Sequence, residues 1–367
     1  MRRLLPALLL LALLVPATSA QARVPRGWLG VGVGPEYVAR YSSLSAEFKR
    51  MRKAGVQTAR IAVYWSKMQR NGPRKTNFRN TDRIVTAAAN ARVQLLPVVL
   101  DAPPWATADP NRPIHTPRDP ADYAKFLTSL VNRYGPAGRF FKNHPKVRRV
   151  PIRAWQIWNE VSNPWYWNFN YASEYPRTLK AAYDAIKAVD AGARVIQAGL
   201  NSGGAGTSWD AQEALYREYD REGLGRPFDQ IAVHVYTSRV SDALKVVRKT
   251  RDVAARYGDA ARPIYVSELA WPAARGKLRD KHGHKREFFA ATTDKGMAKR
   301  LSRGIPLLAG HRKDLGIAGI DWFQWVSAYK GTDDAFRYSG LRRIVRKRVV
   351  DQPAMKAFRK VAQKLRG

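Results

Sequence analysis

No cysteine occurs anywhere in the 367 residues. A disulfide scaffold, a thiolate zinc site and a cysteine nucleophile are therefore excluded together. Acidic residues are scarce, with 29 Asp and Glu against 65 Lys and Arg, a formal net charge of +36. Such a field attracts polyanions, whether nucleic acid, anionic lipid surfaces or acidic glycans, and charge alone does not choose among them. No apolar run reaches the ~20 residues that span a bilayer. No linker rich in Gly, Ser or Pro divides the chain, and no internal repeat is visible. Hydrophobic residues, in contrast, make up 45% of the whole. That is enough for a large core and excludes wholesale disorder.

The first residues have the order of an export signal. Met1-Arg2-Arg3 is a basic start, Leu4 to Val15 an apolar run broken once by Pro6, and Ala20-Gln21-Ala22 a small-residue cleavage site. The reading is a signal peptide over residues 1–22 and one domain over 23–367, secreted and without a transmembrane segment. No cysteine near the cleavage point means no lipoprotein anchor. Export without disulfides reads as bacterial, and nucleic acid is then not an expected partner. An anionic cell surface or matrix takes its place.

Eight strand–helix pairs follow along the chain. The strands are predicted over Trp28–Gly34, Thr58–Trp65, Val93–Leu100, Ala154–Trp158, Val195–Gly199, Gln230–Tyr236, Ile264–Leu269 and Ile317–Val326. Helical spacing appears between them, for example Phe48, Met51 and Ala54, or Leu179, Ala182, Ile186 and Val189. Asn80 or Thr81 is the expected cap of the second helix, and Asp119-Pro120 opens the third. Eight alternations argue a parallel sheet closed into a (β/α)8 TIM barrel, an α/β fold in a single domain.

In that architecture chemistry sits at the C-terminal ends of the strands. The fourth strand runs out into Trp158-Asn159-Glu160, and the seventh ends in Ser267-Glu268. Those strands face each other across the barrel mouth, so the two carboxylates can converge. A converging pair is what glycoside hydrolysis requires, one protonated to donate to the leaving oxygen and one ionised to attack. Either glutamate alone is an ordinary strand-end charge; both at these two strands is not.

The placement resembles clan A of the retaining glycoside hydrolases, most like families 39 and 5, and the resemblance covers nearly all of the mature chain. It implies that Glu160 is the acid/base and Glu268 the nucleophile, with Asn159 bonding the sugar 2-hydroxyl. It further implies that Arg60 at the end of the second strand steadies the nucleophile and that Tyr236 of His234-Val235-Tyr236 touches it. Trp325, closing the eighth strand, matches the floor of the sugar site. One departure is plain: many members read Asn-Glu-Pro, whereas this chain reads Asn159-Glu160-Val161, with Pro164 further on. The residue chemistry fits these roles. Arg60 would lower the pKa of Glu268. Two tryptophans and a second carboxylate ~5–5.5 Å away would raise that of Glu160. His234 fits a direct role and a satisfied core histidine equally well.

Tryptophans are the second signal. Trp65, Trp105, Trp165, Trp167, Trp271 and Trp325 fall at or just after strand ends, where exposed rings would stack on sugars; Trp155, within a strand, reads as core. Gly30-Val31-Gly32-Val33-Gly34 lacks dinucleotide spacing and reads as tight packing of the first strand. The Gly-rich stretch Asn201–Gly206 reads as a loop, and His282 with His284 is too small a set for a metal. Basic runs at Arg275–Arg286 and Arg342–Arg348 are either anion-binding or simply solvated. No metal and no cofactor are expected. The expected activity is retaining hydrolysis of a β-linked oligo- or polysaccharide, neutral or anionic. The alternatives are a non-catalytic envelope glycan-binding barrel and a transglycosylase that remodels envelope glycan.

Overall fold

The computed structural model describes residues 23–34, 38–201, 207–327, 331 and 333–366. The expected signal segment and most of the Asn201–Gly206 stretch lie outside the described residues. Among the described residues, nine parallel strands form one curled sheet: β1 (Leu29–Val33), β2 (Thr58–Tyr64), β3 (Gln94–Leu100), β4 (Ala154–Ile157), β5 (Arg194–Ile196), β6 (Leu200–Asn201), β7 (Ile231–Val235), β8 (Ile264–Leu269) and β9 (Ile317–Trp322). Their order is β5-β4-β3-β2-β1-β9-β8-β7-β6. β5 and β6 are two pieces of the single expected fifth strand, and isolated parallel bridges Asn159–Gly199 and Ile196–Gln230 bring the two ends of the sheet together. The arrangement is TIM-barrel-like, as expected, and the strand read as the seventh is β8.

Burial follows from that layering. β1 is buried along its whole length and β8 likewise, as expected where a parallel sheet is covered on both faces. The outer face packs against helices whose apolar stripes repeat at helical spacing. In α1 (Leu44–Ala54) these are Leu44, Phe48, Met51 and Ala54, with Ser43 capping the Ala46 amide. Pro120 opens its helix behind the Asp119 cap, as predicted. The second helix differs: it runs Arg79–Asn90 with Phe78 at the cap position, so neither Asn80 nor Thr81 caps it. Asn77 instead accepts the Arg79 amide through its side chain.

Inside the barrel a separate small cluster of Leu96, Ile196, Ala232 and Tyr265 fills the space near the strand starts. Above it the interior turns polar, with Arg60, Gln156 and Asp321, and then His234, Glu160 and Glu268 towards the strand ends. Gly30 is required at this level. A Cβ there would lie 1.9 Å from Oδ1 of Asp321 and 2.7 Å from the Thr58 carbonyl. The tight packing expected of the first strand is thus real. After β9 the chain adds an antiparallel hairpin, β10 (Arg342–Val345) and β11 (Arg348–Asp351). Its turn places Arg346 and Lys347 at positive φ; Arg343, Arg346, Lys347 and Arg348 of the second basic run stand exposed, whereas Arg342 is buried.

Candidate active site

Glu268 is carried inward at the end of β8, where the pairing with β7 and β9 shifts register. Arg60 on β2 reaches it with all three guanidinium nitrogens occupied. Nη1 donates to Glu268 Oε1 at 2.6 Å, Nη2 to Asn159 Oδ1 at 2.7 Å, and Nε to Gln156 Oε1 at 2.8 Å. The planar fork fixes carboxylate, amide and arginine as one rigid unit. The Tyr236 hydroxyl donates to the other oxygen, Glu268 Oε2. Burial disfavours the Arg60 charge, but Glu268 and Asp321 outweigh it and push its pKa up.

Glu160 reaches the same space through a turn instead of a strand. Trp158 and Glu160 have φ of 69° and 40°, a conformation that costs side-chain-bearing residues on the order of 1–3 kcal/mol each. The backbone is held there because the Trp158 amide donates to Val99 O and the Glu160 amide to Gly199 O. Nδ1 of His234 lies 2.7 Å from Glu160 Oε1, and Asn163 Nδ2 donates to Oε2 at 3.0 Å. Asn163 also organises the loop that replaces the expected Asn-Glu-Pro, bonding the Glu160 carbonyl and the amides of Trp165, Tyr166 and Trp167. Burial raises the pKa of Glu160, yet the bond from His234, that ring's charge and Asn163 outweigh it. The carboxyl is held below its ordinary range, contrary to the elevation expected from its tryptophan neighbours. Those rings turn away: Trp158 is buried, its indole donating to the Tyr166 carbonyl.

Glu160, His234 and Glu268 each offer a donor atom within 4.8 Å of the others. Glycine makes this possible from behind. A Cβ on Gly199 would lie 2.2 Å from His234 Nε2 and 2.7 Å from Ser267 Oγ. Deeper in, Asp321 is fully buried, with the Tyr265 hydroxyl and Arg60 beside it. Burial pushes its pKa up to about 7, against the opposing pull of Arg60.

The cleft over these groups has two lobes meeting at Asn159, Tyr166, Glu268 and Phe323. One, of about 360 Å³, extends over Gly32, Tyr64 and Gln324. The other, of about 490 Å³, extends past Glu160, Asn163 and Trp165 to Phe288 and Phe336. Of the strand-end tryptophans, Trp165 alone stands exposed in the cleft, at 59%. Trp65, Trp167, Trp271 and Trp325 are fully buried, and Trp105 is half-buried with its indole donating to Gln69 O. Trp271 packs outward, so close to Gly304 that a Cβ there would come within 2.4 Å of its ring. Trp325 donates to Glu47 beneath Arg342 and is not the floor of the cleft. Phe323, two residues earlier, lines both lobes. The expected core position of Trp155 holds.

No family model matches the sequence, and no curated protein matches it. Solved structures do match its fold. A family 39 glycoside hydrolase from the gut symbiont Bacteroides cellulosilyticus superposes with a TM-score of 0.64 at 16% identity over 92% of this chain. This chain spans 64% of that protein's length. A monomeric β-xylosidase from Caulobacter crescentus gives 0.64 at 13% identity, covering 92% of this chain and 68% of its own. A GH5_18 protein from Streptomyces cattleya, in complex with GlcNAc, gives 0.64 at 16% identity, covering 94% and 81%. The chain shares its fold with these proteins, as the resemblance implied.

Proposed function

We propose that this chain is a secreted retaining glycosidase acting on a β-linked oligo- or polysaccharide, with Glu160 as acid/base and Glu268 as nucleophile. One observation carries the reading: two buried carboxylates from opposite sides of the barrel mouth, with oxygens within 4.8 Å of each other. Inverting enzymes leave about 6.5–9.5 Å between the pair to admit a water, whereas retaining ones keep about 5–5.5 Å. The glycoside hydrolases sharing the fold support the same class. The basic start and apolar run within residues 1–22 support export, and residues 23–367 are read as one domain.

Each residue then has a task. Arg60 and Tyr236 each bond one oxygen of Glu268 and hold it aimed at the anomeric carbon. Arg60 occupies Asn159 Oδ1, which leaves the Asn159 amide N–H groups for the sugar 2-hydroxyl. His234 and Glu160 hold one proton between Nδ1 and Oε1. In the first step Glu268 attacks the anomeric carbon, that proton passes through Glu160 to the glycosidic oxygen, and the bond to the leaving sugar breaks. In the second step Glu160 takes a proton from water as the water oxygen attacks the same carbon, and the ester bond to Glu268 breaks. Two inversions return the starting configuration.

The test is Glu268→Gln, assayed on aryl β-glycosides and on neutral and acidic polysaccharides. Turnover should vanish while glycan binding persists; undiminished turnover overturns the assignment.

A further inference from the structure

Residues 161–170 link Glu160 to the helix Tyr171–Val189, and one side chain of that loop reaches two ways. Asn163 Nδ2 donates to Glu160 Oε2 at 3.0 Å, while its Oδ1 accepts from the Trp165 amide at 3.0 Å. The loop is tied a second time from outside. Arg112, in the connection after β3, donates through Nη2 to the carbonyls of Pro164 and Trp167, the latter at 2.6 Å. The Trp167 indole donates to Glu174 Oε2 at 3.0 Å and anchors the far end to the helix. The backbone on either side of Trp165 is therefore held. Trp158 and Trp167 are buried in the core, but the Trp165 ring stands 59% exposed on the wall of the lobe that holds Glu160.

Resting on the glycosidase reading, that ring has a side. The proton of Glu160 goes to the oxygen of the departing sugar, so that sugar lies in the lobe of Glu160 and Trp165. We infer that Trp165 is the platform on which the leaving sugar stacks, with Arg112 and Asn163 as its positioning residues, Asn163 joining platform and acid through one amide. A flat indole covers the apolar face of a sugar ring, and a ring on a backbone already held loses less freedom when it binds. The sugar stacked there presents its glycosidic oxygen to an acid fixed by the same side chain. Binding on the leaving side is thus converted into orientation for proton transfer. Asn163 lies in the stretch where this chain departs from Asn-Glu-Pro.

Binding and turnover test this separately. Calorimetry on Glu268→Gln protein is run with cellotetraose, xylotetraose and chitotetraose. At least one should bind, and adding Trp165→Ala, Asn163→Ala or Arg112→Ala should weaken it about tenfold, a loss of ~1.4 kcal/mol. Phe169→Ala, which removes an exposed ring of the same loop outside the cleft lining, should not. The kinetic arm compares the tetramer that binds with the β-glycosyl fluoride of the same sugar, whose leaving fluoride reaches no platform. The ratio of kcat/KM, tetramer over fluoride, should fall about tenfold in Trp165→Ala. It should fall further in Asn163→Ala, where the acid also loses a bond. Binding of none of the tetramers overturns the inference, as does unchanged binding in the three variants or an equal loss in Phe169→Ala. Equal falls on tetramer and fluoride, the mark of a merely structural role, overturn it too. If a tetramer binds through Trp165 but neither substrate is cleaved, the glycosidase reading fails and takes the leaving-side assignment with it, while the stacking platform stands.

Discussion

Nδ1 of His234 stands 2.7 Å from Oε1 of Glu160 and 3.5 Å from Oε2 of Glu268. One buried ring therefore touches both carboxylates, and it is the main reason the Glu160 carboxyl lies below its ordinary range despite burial. His234→Gln removes the ring and its charge, leaving burial to dominate. The sign follows directly: the Glu160 carboxyl, tracked by ¹³C chemical shift, should titrate at higher pH than in the unmodified protein. Turnover should fall by about 10²-fold, the usual scale of general acid–base assistance. An unmoved titration would contradict the role given to the ring.

Gly199 supports the same ring from behind. In Gly199→Ala the new methyl group would sit 2.2 Å from His234 Nε2, and the facing atoms are a buried ring and Ser267. We expect about 1–3 kcal/mol of lost stability from overpacking and a kcat/KM reduced at least about tenfold through displaced geometry. Full activity in a folded Gly199→Ala protein would show that the position of His234 does not matter.

Asp321 gives a pH-dependent prediction. Its folded pKa of about 7 lies above the ordinary carboxylate value. The native state therefore holds a proton that the unfolded chain has released, and stability falls as pH rises between roughly 4 and 7. Asp321→Asn abolishes that slope. Urea unfolding should show the variant gaining on the unmodified protein between pH 5 and pH 8, by an amount on the order of a few kcal/mol. A constant difference across that range would refute the burial argument.

Glu47 gives the opposite dependence. It is buried and accepts from Arg342, Trp325 and Ser42; burial raises its pKa, but those bonds outweigh it and the carboxyl sits low. Its contribution is present above the unfolded pKa and lost as pH falls through the lower folded value. Glu47→Gln takes one of two carboxylates from the buried Arg342, which keeps Asp351 and the Val349 carbonyl, and should cost about 1–3 kcal/mol near neutral pH. The deficit should shrink in acid. Thermal melts at pH 7 and pH 3 check both statements, and a deficit that is small at pH 7 or undiminished at pH 3 would contradict them.

The glutamates were legible because each ends an apolar strand, and the fold restricts chemistry to those ends. Arg60, Asn159, His234 and Tyr236 followed from the resemblance, and the structure brings all four to the glutamates. Gln156 and Asp321 were missed, although each is a polar residue inside an apolar strand, a signal that was there to be used. Asn163 had no such signal, since its role depends on the turn through Glu160. The tryptophans failed for a different reason. A strand side chain alternates between faces, so one irregularity sends a ring to the helix layer in place of the mouth. Register shifts at His234 and before Leu269, and positive φ at Trp158 and Glu160, are such irregularities. The split of the fifth strand was equally hidden in the sequence.

Glu160 and Glu268 stand close enough for direct attack and too close to admit a water between them. Product stereochemistry reads this without any mutation. Proton NMR of a β-glycoside that the enzyme cleaves, recorded before mutarotation, should show the β-anomer of the released sugar first. First appearance of the α-anomer would mean inversion, and would contradict the assignment of Glu268 as a nucleophile.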